Sequence, residues 1–116
     1  MKNEKLYRLE RVLLLLSLGL CNGIKAGAID IEEACAYLYS PLMLRNLKEA
    51  GASEELYRLI EMGLELEDTE TLIPQNIGRD LEEMIAMAIK ILTESSDSAP
   101  IRDKWFNPIF DNLLSN

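Results

Sequence analysis

The sequence predicts an all-α fold: a compact single-domain bundle of five to six helices around a long hydrophobic N-terminal helix. Three observations predict it. Apolar residues recur at steps of three and four from Leu6 to Ile24 and again from Ile77 to Leu92, the spacing of one helical face. Leu, Glu, Ala, Ile and Met are abundant and mostly strong helix formers, and only four prolines and six glycines interrupt them. No alternating run enriched in β-branched or aromatic residues occurs, so strands are not expected. At 116 residues, 48 % hydrophobic and 28 % charged, the chain is long enough for one domain with a single core.

In the first helix Leu6, Leu9, Leu13, Leu16, Leu20 and Ile24 share a face, and from Val12 the other faces turn apolar too, with Leu14, Leu15, Leu18 and Cys21. A helix apolar on all sides is enclosed by its own protein or by lipid. Val12–Leu20 is short for a membrane span, which takes about 20 apolar residues. Glu4 and Glu10 interrupt the basic start that a secretory signal needs, and Leu20 is too large to precede a lipid-modified Cys21. The stretch is therefore read as a core helix, with no membrane association expected. Asn3 as cap, Glu4 in the first turn and Gly27 as the C′ residue bound a helix of about 23 residues, roughly 35 Å long. It is expected to touch nearly all the others and to bury Leu9, Leu13, Leu16 and Leu20.

Asp30 with Glu33 three positions on resembles a capping box and opens a second helix, Ile31–Tyr39, with Ile31, Ala34, Cys35 and Leu38 inward. Ser40-Pro41 is a cap and first turn; the third helix, Pro41–Ala50, offers Leu42, Leu44 and Leu47 and stops at Gly51. Ser53 caps a fourth, whose inner face is Leu56, Leu59, Ile60 and Gly63. Gly63–Pro74 is then expected to be a pinned acidic segment. Leu64, Leu66, Leu72 and Ile73 anchor it, and Asp68 or Thr69 opens one helical turn that Pro74 ends. The last long helix, Ile77–Glu94, carries Ile77, Leu81, Ile85, Ala88, Ile89 and Leu92 on one face, flanked by Met84 and Ile91, and is the natural partner of the first. The chain thus divides into a helical core (1–94), a polar linker (95–100) and an amphipathic aromatic tail (101–116). Asn107-Pro108 starts the tail's helix, and Trp105, Phe106, Ile109, Phe110, Leu113 and Leu114 are expected to dock on the core or on a second chain.

Charge narrows the function. Twelve basic residues against twenty acidic ones leave a net charge of −8. Residues 26–71 hold three basic and eleven acidic side chains, net −8 by themselves, whereas residues 1–25 hold five basic and two acidic, net +3. Such a field disfavours nucleic acid as a ligand and attracts a basic protein surface. Histidine, the commonest catalytic base, is absent. Cys21 and Cys35 lie among apolar neighbours on predicted helices and are read as free core thiols, unsuited to zinc without an imidazole. Counted from Glu65, the sixth residue is Glu70 where a calcium-binding loop needs glycine. No glycine-rich phosphate cradle occurs. No catalytic, cofactor-binding or metal residue is therefore assigned, and the chain is expected not to be an enzyme.

Candidate partner-binding residues remain: Glu65, Glu67, Asp68 and Glu70, projecting from a fixed ridge, and Trp105, Phe106 and Phe110 in the tail. Small acidic immunity proteins and antitoxins engage basic partners in this manner. A structural homo-oligomer with no separate ligand, such as a homodimer, burying surplus apolar faces of the first helix or the tail, is the alternative, and a carboxylate-based enzyme the weakest.

Three motifs, Ile31-Glu32-Glu33-Ala34, Tyr39-Ser40-Pro41 and the segment from Gly63 through Glu65-Leu66-Glu67-Asp68 to Leu72-Ile73-Pro74, resemble a family of short bacterial proteins known only as a domain of unknown function. The likeness covers roughly residues 5–94 and implies a bacterial, cytoplasmic, helical protein. It implies no activity and no catalytic residue.

Overall fold

The computed structural model describes residues 4–95, 104 and 106–115. Among them are six α-helices, one 3-10 turn and no strand. The helices are α1 (Glu4–Lys25), α2 (Ile31–Tyr37), α3 (Pro41–Ala50), α4 (Glu54–Leu72), α5 (Ile77–Glu94) and α6 (Asn107–Leu114), with the 3-10 turn at Pro74–Asn76. Residues 96–100 of the expected linker and Trp105 lie outside the described residues.

Local chemistry sets most of the boundaries. Asp30, Ser40 and Ser53 each take extended backbone angles and accept a hydrogen bond from the backbone three residues on, at Glu33, Met43 and Leu56. Each satisfies an amide that the first helical turn leaves without a partner. At the end of α1, Gly27 sits at φ 74°, a left-handed conformation that costs glycine nothing. The reversal lets the Ala28 amide donate to the Gly23 carbonyl at 2.9 Å, closing the helix as a Schellman turn.

α1 and α5 run antiparallel, pinned at both ends. Lys25 pairs with Glu82. At the other end the Arg11 guanidinium donates to the Leu92 carbonyl at 3.1 Å and to Ser95 Oγ at 3.0 Å, and the Tyr7 hydroxyl donates to the Ser95 carbonyl. Arg11 and Tyr7 thereby satisfy and charge-complement the carbonyl end of α5. The element that meets most neighbours is α4, which packs on α2, α3, α5 and the 3-10 turn. α1 contributes the longest apolar surface, yet its broad contact is with α5 and a lesser one with α2.

Three expectations are corrected. First, α1 is rotated: Glu10, Leu13, Leu14, Ser17, Leu20 and Cys21 are buried, while Leu9 and Leu16 remain 46 % and 37 % exposed. Two polar residues go inside because each finds a partner there. Glu10 Oε1 accepts from the Ser53 amide at 3.2 Å, and Ser17 Oγ lies 2.6 Å from the Tyr39 hydroxyl. Second, Gly63–Pro74 is no irregular segment with one turn; α4 runs unbroken through Leu72. Only Ile73, whose amide still bonds to the Thr69 carbonyl, and Pro74 end it. Third, the inner line of α5 is Leu81, Met84, Ala88 and Ile91, with Ile77, Ile85 and Leu92 half-buried beside it and Ile89 outside. Smaller shifts accompany these: α2 stops at Tyr37, Cys35 is half-buried and Leu42 is exposed.

Candidate functional site

The four acidic side chains of the expected ridge are all exposed, but a helix cannot hold them in one row. Successive residues turn by about 100°, so Glu65 pairs with Asp68 on one side while Glu67 and Glu70 lie together on another, about 140° from Glu65 to Glu70. The second pair continues the line of Leu56, Leu59, Gly63 and Leu66 past the end of the core, which turns it towards α2. There Glu67 stands beside Cys35, whose thiol burial pushes up to about 12, with the neighbouring carboxylate adding to the shift.

Glu70 enters an open groove of about 620 Å³ whose wall is Ile24, Gly27, Ala28, Ile29, Asp30, Ile31, Glu33 and Ile77. Five pieces of the fold build it: the end of α1, the turn at Gly27, the start of α2, the entry to α5, and α4, which supplies Glu70. Its floor is apolar, with Ile31 buried and Ile24, Ile29 and Ile77 half-buried; its rim carries the exposed carboxylates of Asp30, Glu33 and Glu70. Asp30 is held in place by its capping bond to the Glu33 amide at 2.8 Å. An aliphatic floor under a carboxylate rim is chemically suited to a long cationic side chain: methylenes below, charge above.

Asp30 and Glu33 carry a capping signature, so their sequence signal is spent on starting α2; nothing local reveals that Glu70 stands across the groove from them. Of the tail residues, Phe106 and Phe110 pack edge to face with ring centroids 5.9 Å apart. The apolar side chains of α6 remain exposed.

Two further polar groupings serve the fold. Tyr39, 1 % exposed, bonds Ser17 and lies 3.5 Å from Cys21 Sγ. Burial, and next the neighbouring Cys21, push the Tyr39 hydroxyl above its ordinary range; burial likewise raises Cys21, although its hydrogen bonds to Tyr39 and Ser17 pull the other way. These groups stay protonated and act as hydrogen-bonding struts between α1 and the α2–α3 corner. A cavity of about 180 Å³ lies between α1, the start of α4 and the end of α5, lined by Tyr7, Glu10, Arg11, Ser53 and Ser95 among others. Its principal polar groups are engaged in the bonds described above. Among the described residues no three His, Cys, Asp or Glu side chains are placed to hold a metal ion, and no helix is long and apolar enough to cross a membrane.

Comparison with known proteins supplies a family and no activity. No curated protein and no solved structure matches the chain. A family model described as "Protein of unknown function (DUF3969)" matches residues 4–107, from the start of α1 to the first residue of α6. The chain therefore belongs to the DUF3969 family of proteins of unknown function.

Proposed function

We propose that this chain is a non-catalytic acidic interaction module that binds a Lys/Arg-rich protein surface in the bacterial cytoplasm. The observation that carries the reading is the groove of Asp30, Glu33 and Glu70 above Ile24, Ile29 and Ile77. It replaces the expected ridge: Glu67 and Glu70 belong to this side of the molecule, and Glu65 and Asp68 extend the negative field around α4. The groove sits within the most acidic third of the chain, so a basic partner is drawn to it at long range and fixed by short contacts. Because the rim carboxylates sit on two helices that pack together, α2 with its cap and α4, binding orders little of the backbone. Two free thiols accord with a reducing compartment. An immunity-like or antitoxin-like role is the form of this activity that suits a small acidic module.

The test is a native pull-down with the full chain and with a Glu67→Lys, Glu70→Lys double variant. A defined basic protein should be captured at low salt, lost as salt rises, and lost at least tenfold with the variant while its helical circular dichroism is unchanged. An identical set of captured proteins from both chains refutes the groove.

A further inference from the structure

Away from the groove, α1 carries a second apolar face that the core does not use. Leu9, Val12, Leu16 and Gly19 recur at steps of three and four on its outer side, and an alanine Cβ at Gly19 would meet nothing within 4 Å. Leu15, 55 % exposed, borders the same face. With Lys25 on Glu82 and Arg11 on Leu92, the antiparallel register puts Leu15 opposite Ile89 of α5, itself 49 % exposed. The spacing is that of a helix–helix seam.

The same chain carries a helix that lacks a seat. Ile109, Phe110, Leu113 and Leu114 form one apolar side of α6, with Phe110 51 % exposed and both leucines more so. Asp111 falls on the opposite side, so this apolar side is uncharged. The core ends at Ser95, which Tyr7 and Arg11 fix near the start of α1, level with Leu9 along the helix but on the side that faces α5. The intervening residues 96–106 reach at most about 40 Å when extended, enough to carry α6 onto a neighbouring molecule.

Within the single chain both faces stay open, so neither covers the other. We propose that two copies exchange their C-terminal helices, α6 of each lying along the outer face of α1 and the flanking Ile89 of the other. Such an exchange is two-fold and closes at a dimer. Either patch alone is small against the roughly 800 Å² per partner of a stable interface, but reciprocal exchange uses both patches twice. Pairing α1 with α1 directly would cover the seam and leave α6 in water. The exchange leaves the acidic groove, at the far end of α1, open on each copy, so the dimer presents two.

The test is sedimentation equilibrium of the full chain over a concentration series, with Leu16→Glu, Leu15→Glu and Phe110→Glu as single variants and circular dichroism as the folding control. The parent should sediment at twice the 13.1 kDa chain mass. Each substitution replaces an exposed side chain, so the helical spectrum should persist while dimer dissociation constants rise at least tenfold. A parent that stays monomeric at every concentration overturns the proposal, as docking of α6 within its own chain would produce. A dimer indifferent to Phe110→Glu, or to both α1 variants, overturns it equally, since the interface would then lie elsewhere.

Discussion

Gly63 offers a test of the packing that a single methyl group decides. It lies inside α4, where replacing glycine by alanine ordinarily stabilises a helix by about 1 kcal/mol. Here an alanine Cβ would fall inside 3.0 Å of three ring carbons of Tyr39, closer than real Cβ contacts come. That ring cannot step aside freely, because Tyr39 is fully buried and its hydroxyl is 2.6 Å from Ser17 Oγ. Overpacking of this kind costs about 1–3 kcal/mol, and displacing the hydroxyl forfeits a further ~0.5–1.5 kcal/mol of hydrogen bonding. Set against the propensity gain, Gly63→Ala should destabilise by about 0.5–3.5 kcal/mol. Urea unfolding followed by circular dichroism measures this, with Gly78→Ala as the control. Gly78 is also helical, but an alanine Cβ there would meet nothing within 4 Å, so its substitution should be neutral or stabilising. Combining Gly63→Ala with Tyr39→Leu should recover part of the loss, because the two positions are coupled through contact. A Gly63→Ala chain as stable as its parent would refute the claim that Tyr39 closes on α4 at this point.

Two other outcomes follow from burial and protonation. Leu14→Ala, at a nearly sealed position, should cost about 2–5 kcal/mol, whereas Leu16→Ala on the outer face of the monomer should cost below about 1 kcal/mol; equal losses, measured under monomeric conditions, would mean that α1 is rotated differently from the structure. Cys21, Cys35 and Tyr39 are all held protonated by burial, so the unfolded chain releases their protons first as pH rises past the ordinary values of 9.0 and 10.0. The stability they contribute is therefore whole below about pH 9 and lost progressively toward about pH 12. Thermal midpoints should fall over that range, and less steeply in Tyr39→Phe; identical slopes in both chains would show that Tyr39 carries no part of the effect.

Helix starts were legible because capping is local. Asp30, Ser40-Pro41 and Ser53 announce α2, α3 and α4 through bonds that span three residues, and Gly27 announces the end of α1 in the same way. The pairing of α1 with α5 was legible too, since two long apolar faces must meet in a chain this short. What lay beyond reach was rotation. When a helix is apolar all round, periodicity cannot say whether Leu13 or Leu16 faces the core; Ser17 and Glu10 decide it, by meeting Tyr39 and Ser53 far along the chain. The acidic run in α4 misled for a related reason. Glu67 and Glu70 occupy inward-line positions after the core has ended, so helical alternation there looks like a loop with anchored leucines. The groove itself joins Asp30 to Glu70 across forty residues, a proximity that no local pattern encodes.

The clasp between Tyr7 and Ser95 joins residues 88 apart in the chain, which has a bearing on how the protein is made. α1 is synthesised before every other helix described above, and α5, its broad partner, is the last of the core. At about 5–20 residues per second, α5 is completed about 3–14 s after α1. Through that interval the longest helix of the molecule has no α5 to lie against, and α4 arrives before α5 does. The nascent chain therefore passes through a stage in which α2, α3 and α4 can assemble around Tyr39 while α1 is only partly covered. A ribosome that stalls before residue 77 would leave a product lacking the whole of α5, and with it the cover for one side of α1. For such a fragment, chaperone capture or aggregation is the physical alternative to folding.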